Sequence, residues 1–175
     1  MHSKHPLPLQ QKSNTFSSHH QHRHEHVSCN GKSFEELCIE ALKGANYRIT
    51  QARLSVIECL SQHNMPLSPT EIYDKLTEKG DKIDKVSVYR VLESLAQLKL
   101  IHQILPSGDY LRCDTACETK SSHLILKCNG CNLVKEVDLG LELIETMIQK
   151  VSADHRFQAK KHTLQFDGFC ENCLS

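Results

Sequence analysis

Two Cys-x-x-Cys pairs, Cys128-Asn129-Gly130-Cys131 and Cys170-Glu171-Asn172-Cys173, constrain this chain more than any other feature it carries. Two residues between thiols let both sulfurs reach one ion about 2.3 Å away, and two such knuckles complete a tetrahedral zinc site. Residues 132–169 separate the pairs, more than a zinc ribbon uses. A helix and strands are therefore expected inside the loop, with the metal acting as a staple for the C-terminal unit. The competing use of this spacing is a redox dithiol, which should follow a strand and open a helix; the second pair stands instead at the chain end. The nine cysteines are an odd number, which argues against a simple disulfide framework; in a reducing compartment, pairs at this spacing read as metal ligands or redox centres.

Lys+Arg and Asp+Glu both number 21, so any nucleic-acid surface has to be a local patch. No apolar run approaches the ~20 residues that span a bilayer. Met1-His2-Ser3-Lys4-His5-Pro6 lacks the apolar stretch of a secretory signal, and a cytoplasmic protein is expected. Residues 1–32 are polar and aperiodic and hold seven histidines, five of them within His19–His26. That segment has too little apolar surface to offset the entropy of ordering and is expected to be a disordered tail. A weak metal-collecting tail and a neutral extension fit it equally well.

From Phe34 the pattern becomes helical. Phe34, Leu37, Cys38, Ala41 and Leu42 line one face of a helix that ends near Gly44. Thr50 can cap a second helix carrying Leu54, Ile57 and Leu60. Ser68-Pro69-Thr70-Glu71 is a capping box with proline at the first helical position, and Gly80 stops that third helix. Val88, Val91, Leu92, Leu95 and Leu98 predict a fourth, capped by Asp84. Cys38 and Cys59 fall on apolar helix faces and read as packing residues. Two short extended runs, Ile101–Leu105 and Tyr110–Cys113, flank a Pro/Gly turn as in a β-hairpin. Helices followed at once by a hairpin is the order of a winged helix-turn-helix, whose fourth helix here would enter the major groove; an ordinary small α+β domain fits the same order.

The second half predicts strands at Leu124–Lys127, Leu133–Val137 and Thr163–Phe166, with one helix marked by Leu141, Ile144, Met147, Ile148 and Val151. The whole is an α+β chain: a tail (1–32), four helices and a hairpin in winged-helix order (33–114), and a small α/β unit that holds all four paired cysteines (115–175). The last is too small to bury much core alone, so metal and a partner subunit are its expected supports. A second donor group, His102, Cys113, His123 and Glu136, offers N, S, N and O atoms from both halves, a mixture suited to Zn²⁺. Taken singly, each is an ordinary surface residue.

Across roughly residues 34–173 the chain resembles the ferric uptake regulator family. The resemblance rests on Arg48-Ile49-Thr50-Gln51-Ala52-Arg53, on Ser87-Val88-Tyr89-Arg90-Val91-Leu92, on His123 through Cys131 with Glu136, and on Cys170-x-x-Cys173. It implies a winged-helix DNA-binding domain (33–114) and an α/β dimerisation domain with structural zinc (115–175), in a homodimer that binds A·T-rich inverted repeats of double-stranded DNA when metallated and shuts off metal-uptake genes. Tyr89 and Arg90 would contact bases and phosphates, while Arg48, Arg53 and Ser87 would position the DNA backbone. Tyr89 alternates with core positions and could itself be partly core.

In zinc-sensing members the sensory site resembles His102, Cys113, a histidine before the first knuckle and Glu136. Iron- and peroxide-sensing members carry a carboxylate where this chain has Cys113. Thiolate is the softer ligand and favours zinc over Fe²⁺ or Mn²⁺. The chain departs from the family in keeping only Ser121-Ser122-His123 of a histidine-rich run, only His162 of a third metal site, and Asn132 in place of a glycine. Cys117 and His63 stand as alternative ligands. The expectation is a zinc-responsive repressor with structural and regulatory Zn²⁺ and no enzymatic activity. An iron- or manganese-responsive regulator on the same scaffold is the alternative, and a zinc-buffering protein the alternative of another class. A zinc hydrolase would need an open coordination position, which four protein ligands do not leave.

Overall fold

The computed structural model describes residues 31–114, 123–138, 140–159 and 162–174. The histidine-rich tail, Cys29, Cys117 and Ser121-Ser122 lie outside the described residues. Lys32, placed by sequence in the tail, is held by an ion pair with Glu40 at 2.7 Å.

Four helices open the fold: α1 (Phe34–Gly44), α2 (Gln51–Ser61), α3 (Pro69–Glu78) and α4 (Lys85–Gln97). Each begins at a residue chosen by cap chemistry. Ser33, Thr50, Ser68 and Asp84 sit in extended backbone, and each side chain accepts an orphan N–H of the first turn. Ser33 with Glu36 forms a capping box that the apolar periodicity does not reveal, beside the expected one of Ser68 with Glu71. Helix α3 ends in a Schellman motif. Gly80 takes a φ of 94°, the Gly80 N–H reaches the Thr77 carbonyl and the Asp81 N–H reaches that of Leu76.

The helices pack through Leu42, Val56, Ile57, Ile72, Val88, Leu92 and Leu95, all essentially inaccessible. Each such side chain contributes about 1.5–3 kcal/mol on leaving water. Cys38 belongs to the same core, as expected, and burial pushes its thiol up to about 12. Replacing Ser68 by Ala removes the hydroxyl that accepts the Glu71 N–H at 3.2 Å and donates to the Glu71 carboxylate at 2.7 Å, leaving only the backbone half of the capping box. A loss of about 1 kcal/mol is expected, read as a lower urea midpoint with an unchanged slope.

The hairpin follows as β1 (Ile101–Ile104) and β2 (Asp109–Arg112), paired antiparallel with His102 opposite Leu111. Cys113 lies one residue past β2, yet its N–H continues the ladder to the Leu100 carbonyl at 2.9 Å. The second sheet has the order β4-β3-β5, from β3 (His123–Cys128), β4 (Val134–Asp138) and β5 (Leu164–Gly168). β3 and β4 form an antiparallel hairpin, while β5 runs parallel to β3 after a connection through α5 (Leu141–His155). Ile104 and Leu111 of the first hairpin pack against Ile125 and Val134 of the second sheet. Among the described residues no helix is long and apolar enough to cross a membrane.

Candidate functional site

The four paired cysteines converge. Their sulfurs all lie within 4.8 Å of one another. Cys128 ends β3, Cys131 follows a tight turn, Cys170 comes after β5 and Cys173 closes a short 3-10 turn (Glu171–Cys173). Backbone bonds set the two knuckles: Asn132 N–H to the Cys128 carbonyl at 2.9 Å, and Cys173 N–H to that of Cys170 at 2.8 Å. The parallel β3/β5 pair brings them side by side, with Asn129 N–H on the Gly168 carbonyl at 2.7 Å. Two residues in this cradle have no free choice. A Cβ on Gly130 would stand 2.9 Å from both Cβ and Sγ of Cys173. Asn132 sits at a φ of 59°, a left-handed conformation that asparagine tolerates better than other non-glycine residues.

The donor set fits zinc. Cys131 and Cys170 sulfurs are 3.7 Å apart, close to the edge of about 3.8 Å that a tetrahedron with 2.3 Å bonds requires and far from a disulfide. Backbone N–H groups of Cys170 and Cys131 lower the Cys128 thiol to about 6, whereas the neighbouring sulfurs of Cys170 and Cys128 push Cys173 up to about 12. Four thiols in one small volume cannot all ionise against one another, and a divalent cation is the group that relieves the conflict.

The second cluster is assembled from two hairpins. On the first, His102 faces Leu111 across the ladder, so Cys113 is its diagonal neighbour on the same face. On the second, Glu136 pairs with Ile125, and His123 is likewise its diagonal neighbour. The two diagonals meet, with all four donor atoms within 4.8 Å of one another. Cys113 Sγ is 3.4 Å from His123 Nδ1 and 3.3 Å from Glu136 Oε1. His102 Nε2 is 3.4 Å from both His123 Nδ1 and Glu136 Oε1. These separations are near the edges of roughly 3.3–3.5 Å expected around a tetrahedral ion with N, O and S ligands; the 2.6 Å from His123 Nδ1 to Glu136 Oε1 is shorter.

Glu136 is 6% exposed and His123 9%. Burial alone would raise the Glu136 pKa, but the hydrogen bonds and charge of His102 and His123 win and hold the carboxyl far below its usual range. Its other oxygen accepts the Asp114 N–H at 3.0 Å, leaving Oε1 for the centre. His63 is elsewhere, its Nδ1 2.7 Å from the Cys59 carbonyl, and neither it nor His162 joins a cluster among the described residues.

Arg112 is a feature that sequence reasoning misses. It is 8% exposed and donates to the Ser61 carbonyl at the end of α2, and to Asn64 Oδ1 at 2.8 Å. Its Nε lies 3.3 Å from Asp114. The segment bearing Cys113 is thereby tied to the helical core.

On α4, Tyr89 is 50% exposed and Arg90 is exposed, so Tyr89 is no core residue. The Ser87 hydroxyl donates to Asp84 at 2.7 Å, so its one proton is engaged in the cap. Arg48 is exposed, whereas Arg53 turns inward, donating to the Arg48 carbonyl at 2.6 Å with its guanidinium 5.1 Å from the Tyr47 ring.

Known proteins share this architecture. The model of the "Ferric uptake regulator family" matches residues 44–167. The ferric uptake regulation protein of Bacillus subtilis strain 168 is 30% identical over 134 residues, 75% of this chain and 89% of that protein. The zinc uptake regulation protein of Mycobacterium tuberculosis H37Rv is 28% identical over 137 residues, 77% of this chain and 100% of the relative. Among solved structures, a zinc uptake regulator complexed with zinc and DNA superposes with a TM-score of 0.70 at 23% identity, covering 82% of this chain and 96% of that one.

Proposed function

Because the chain belongs to the ferric uptake regulator family, we propose that it is a DNA-binding transcriptional repressor whose signal is zinc. One observation carries the choice of metal: Cys113 supplies sulfur to a cluster otherwise made of two imidazoles and a carboxylate. A soft donor in a four-donor tetrahedral set favours Zn²⁺ over the Fe²⁺ or Mn²⁺ of a harder, six-coordinate site. Four protein donors leave no position for a reacting water, in keeping with a regulator and not an enzyme.

The chain divides, in this reading, into a DNA-binding unit (33–114) and a dimerisation unit (115–175). Relatives named for zinc uptake support the branch, and the solved zinc uptake regulator with zinc and DNA supports the partner. Leu143, Met147 and Val151 form an exposed stripe on α5, Phe166 is exposed on β5, and Phe169 and Leu174 are exposed next to Cys170 and Cys173 in the chain. Apolar surface of that extent on a small unit supports a homodimer. Cys128, Cys131, Cys170 and Cys173 would hold the structural zinc, and His102, Cys113, His123 and Glu136 the regulatory one.

Zinc, when bound at the second cluster, supplies a cross-link between the two hairpins. His102 and Cys113 then keep the wing against β3 and β4, and Arg112 passes that restraint to the end of α2. Tyr89 and Arg90 of each protomer would face successive major grooves of an A·T-rich inverted repeat, about one helical turn apart. Arg48 would meet the backbone nearby. Ser87 and Arg53 would position the reading helix and the turn before α2, through the bonds they make within the chain.

The test is fluorescence anisotropy on such a repeat with free Zn²⁺, Fe²⁺ and Mn²⁺ buffered separately. Affinity is expected to rise at least tenfold at low free zinc and not with the other two metals. A response to iron or manganese would keep the family and overturn the reading of Cys113. Failure to select any sequence from a randomised DNA pool, with any of the three metals, would point to a zinc buffer.

A further inference from the structure

The wing is tied to the second sheet at a further place, on β5, where Gln165 and the donor Glu136 flank Ile125 on the same rung of the sheet. The Gln165 side chain of β5 reaches the wing turn and pairs with both backbone groups of Leu105: the Leu105 N–H donates to Oε1 at 2.9 Å, and Nε2 donates to the Leu105 carbonyl at 2.7 Å. The remaining Nε2 proton goes to Asp167 Oδ1 at 2.8 Å. A carboxylate only accepts, so Asp167 fixes which end of the amide is nitrogen. With that choice made, Gln165 presents one donor and one acceptor in the order a neighbouring strand would offer.

Three layers therefore join wing and sheet in sequence along β1: the donors at His102, the apolar contact of Ile104 and Leu111 with Ile125 and Val134, and the amide clamp at Leu105. Only the first involves metal. We propose that Gln165, oriented by Asp167, is a positioning residue for metal sensing: it latches the wing turn to β5 and presets the hairpin orientation in which the four regulatory donors converge. This rests on the zinc-sensing reading above and adds a regulatory element to it.

The consequence follows from linkage. Two contacts that favour the same orientation strengthen each other, whichever forms first. Releasing the clamp lets the wing sample orientations in which His102 and Cys113 do not face His123 and Glu136. The apparent affinity of the second site then falls by the fraction of molecules left competent. Losing two hydrogen bonds to fixed backbone groups corresponds to roughly a tenfold change.

The experiment uses the full chain with one zinc retained at the four-cysteine site. Hydrogen exchange of the peptide containing Leu105 is followed by mass spectrometry, and uptake of the second zinc is titrated against a competing chelator. Wild type is compared with Gln165→Ala and Gln165→Glu. The glutamate keeps the volume, can still accept from the Leu105 N–H, but cannot donate to the Leu105 carbonyl and is repelled by Asp167. Both variants should keep one tightly held zinc and the wild-type far-UV circular dichroism, exchange Leu105 about tenfold faster, and bind the second zinc about tenfold more weakly. Unchanged exchange and unchanged second-zinc affinity in both variants would overturn the clamp. A wild-type chain that takes up no second zinc would sink the sensing reading instead, leaving the exchange comparison to judge the clamp alone.

Discussion

Cys113→Ala is expected to abolish zinc-dependent DNA binding while one zinc per chain stays bound. The variant removes the sulfur from the mixed cluster and touches nothing in the other, whose four donors come from the ends of β3 and β5. His102, His123 and Glu136 would remain. His123 and Glu136 sit on one hairpin, 2.6 Å apart. What disappears is one of the two donors that the wing side supplies among the described residues, and with it half of the link they make between the hairpins. Outer-shell partners alone change metal affinity about 10–100-fold, so loss of a direct ligand should exceed the upper end of that range.

The measurement is metal content after dialysis against a weak chelator, paired with anisotropy across a zinc-buffer series. One retained zinc with no zinc response is the expected pair. Normal repression by the variant would remove Cys113 from the site. Cys113→Asp adds a sharper contrast. A hard oxygen in place of sulfur should weaken the preference for zinc over Fe²⁺ and Mn²⁺, read as a narrower gap between the three metals in the same anisotropy series.

The two metal clusters differ in how far the amino-acid sequence can reveal them. The four-cysteine cluster is legible because each knuckle is a local object: spacing decides the geometry within a pair, and only the pairing of pairs needs the fold. The mixed cluster has no such signature. His102, Cys113, His123 and Glu136 come from two hairpins, and their meeting depends on the diagonal registers of both and on how the hairpins pack. Only family resemblance makes it visible beforehand. The helices are legible for the same reason as the knuckles, since the caps at Thr50, Ser68 and Asp84 act over three residues. Even there the apolar period points to Phe34 and leaves the cap at Ser33 unmarked.

Arg112, Arg53 and Gln165 are beyond sequence reasoning for a common reason. Their partners include backbone carbonyls or amides, at Ser61, Arg48 and Leu105, and every residue has those. Nothing in the composition of a segment marks which carbonyl a distant side chain will find. Ser87 shows the opposite hazard. A hydroxyl on a recognition helix suggests a DNA contact, but three residues upstream Asp84 takes its proton.

The four-cysteine cluster carries the other large effect. Cys128→Ser is expected to unfold residues 123–174 and abolish dimerisation, while α1–α4 keep their structure. The reasoning starts from where the apolar burial lies. Among the described residues, the buried hydrophobics after Cys113 are Leu124, Ile125, Cys128 and Ile144, whereas the helical half buries the larger core shared by α1–α4 and β1. A unit so poor in core needs another source of stability. Structural zinc in small peptides contributes about 10–16 kcal/mol, as much as the ~5–15 kcal/mol that holds a whole domain together.

Serine at position 128 is a hard, neutral donor where a thiolate is needed, and it sits where β3 ends and the Cys170 N–H now reaches sulfur at 3.2 Å. Both the ion and the β3/β5 register should be lost together. Size-exclusion chromatography with light scattering should report a monomer. Exchange should become fast throughout β3–β5 and α5, and far-UV circular dichroism should retain the α1–α4 contribution. Stripping the wild type with a strong chelator should reproduce all three results, separating loss of the metal from loss of one sulfur. A zinc-free variant that remains a dimer with protected β3 and β5 would show that packing of the α5 and β5 faces suffices, and that the four cysteines serve some purpose other than holding the fold.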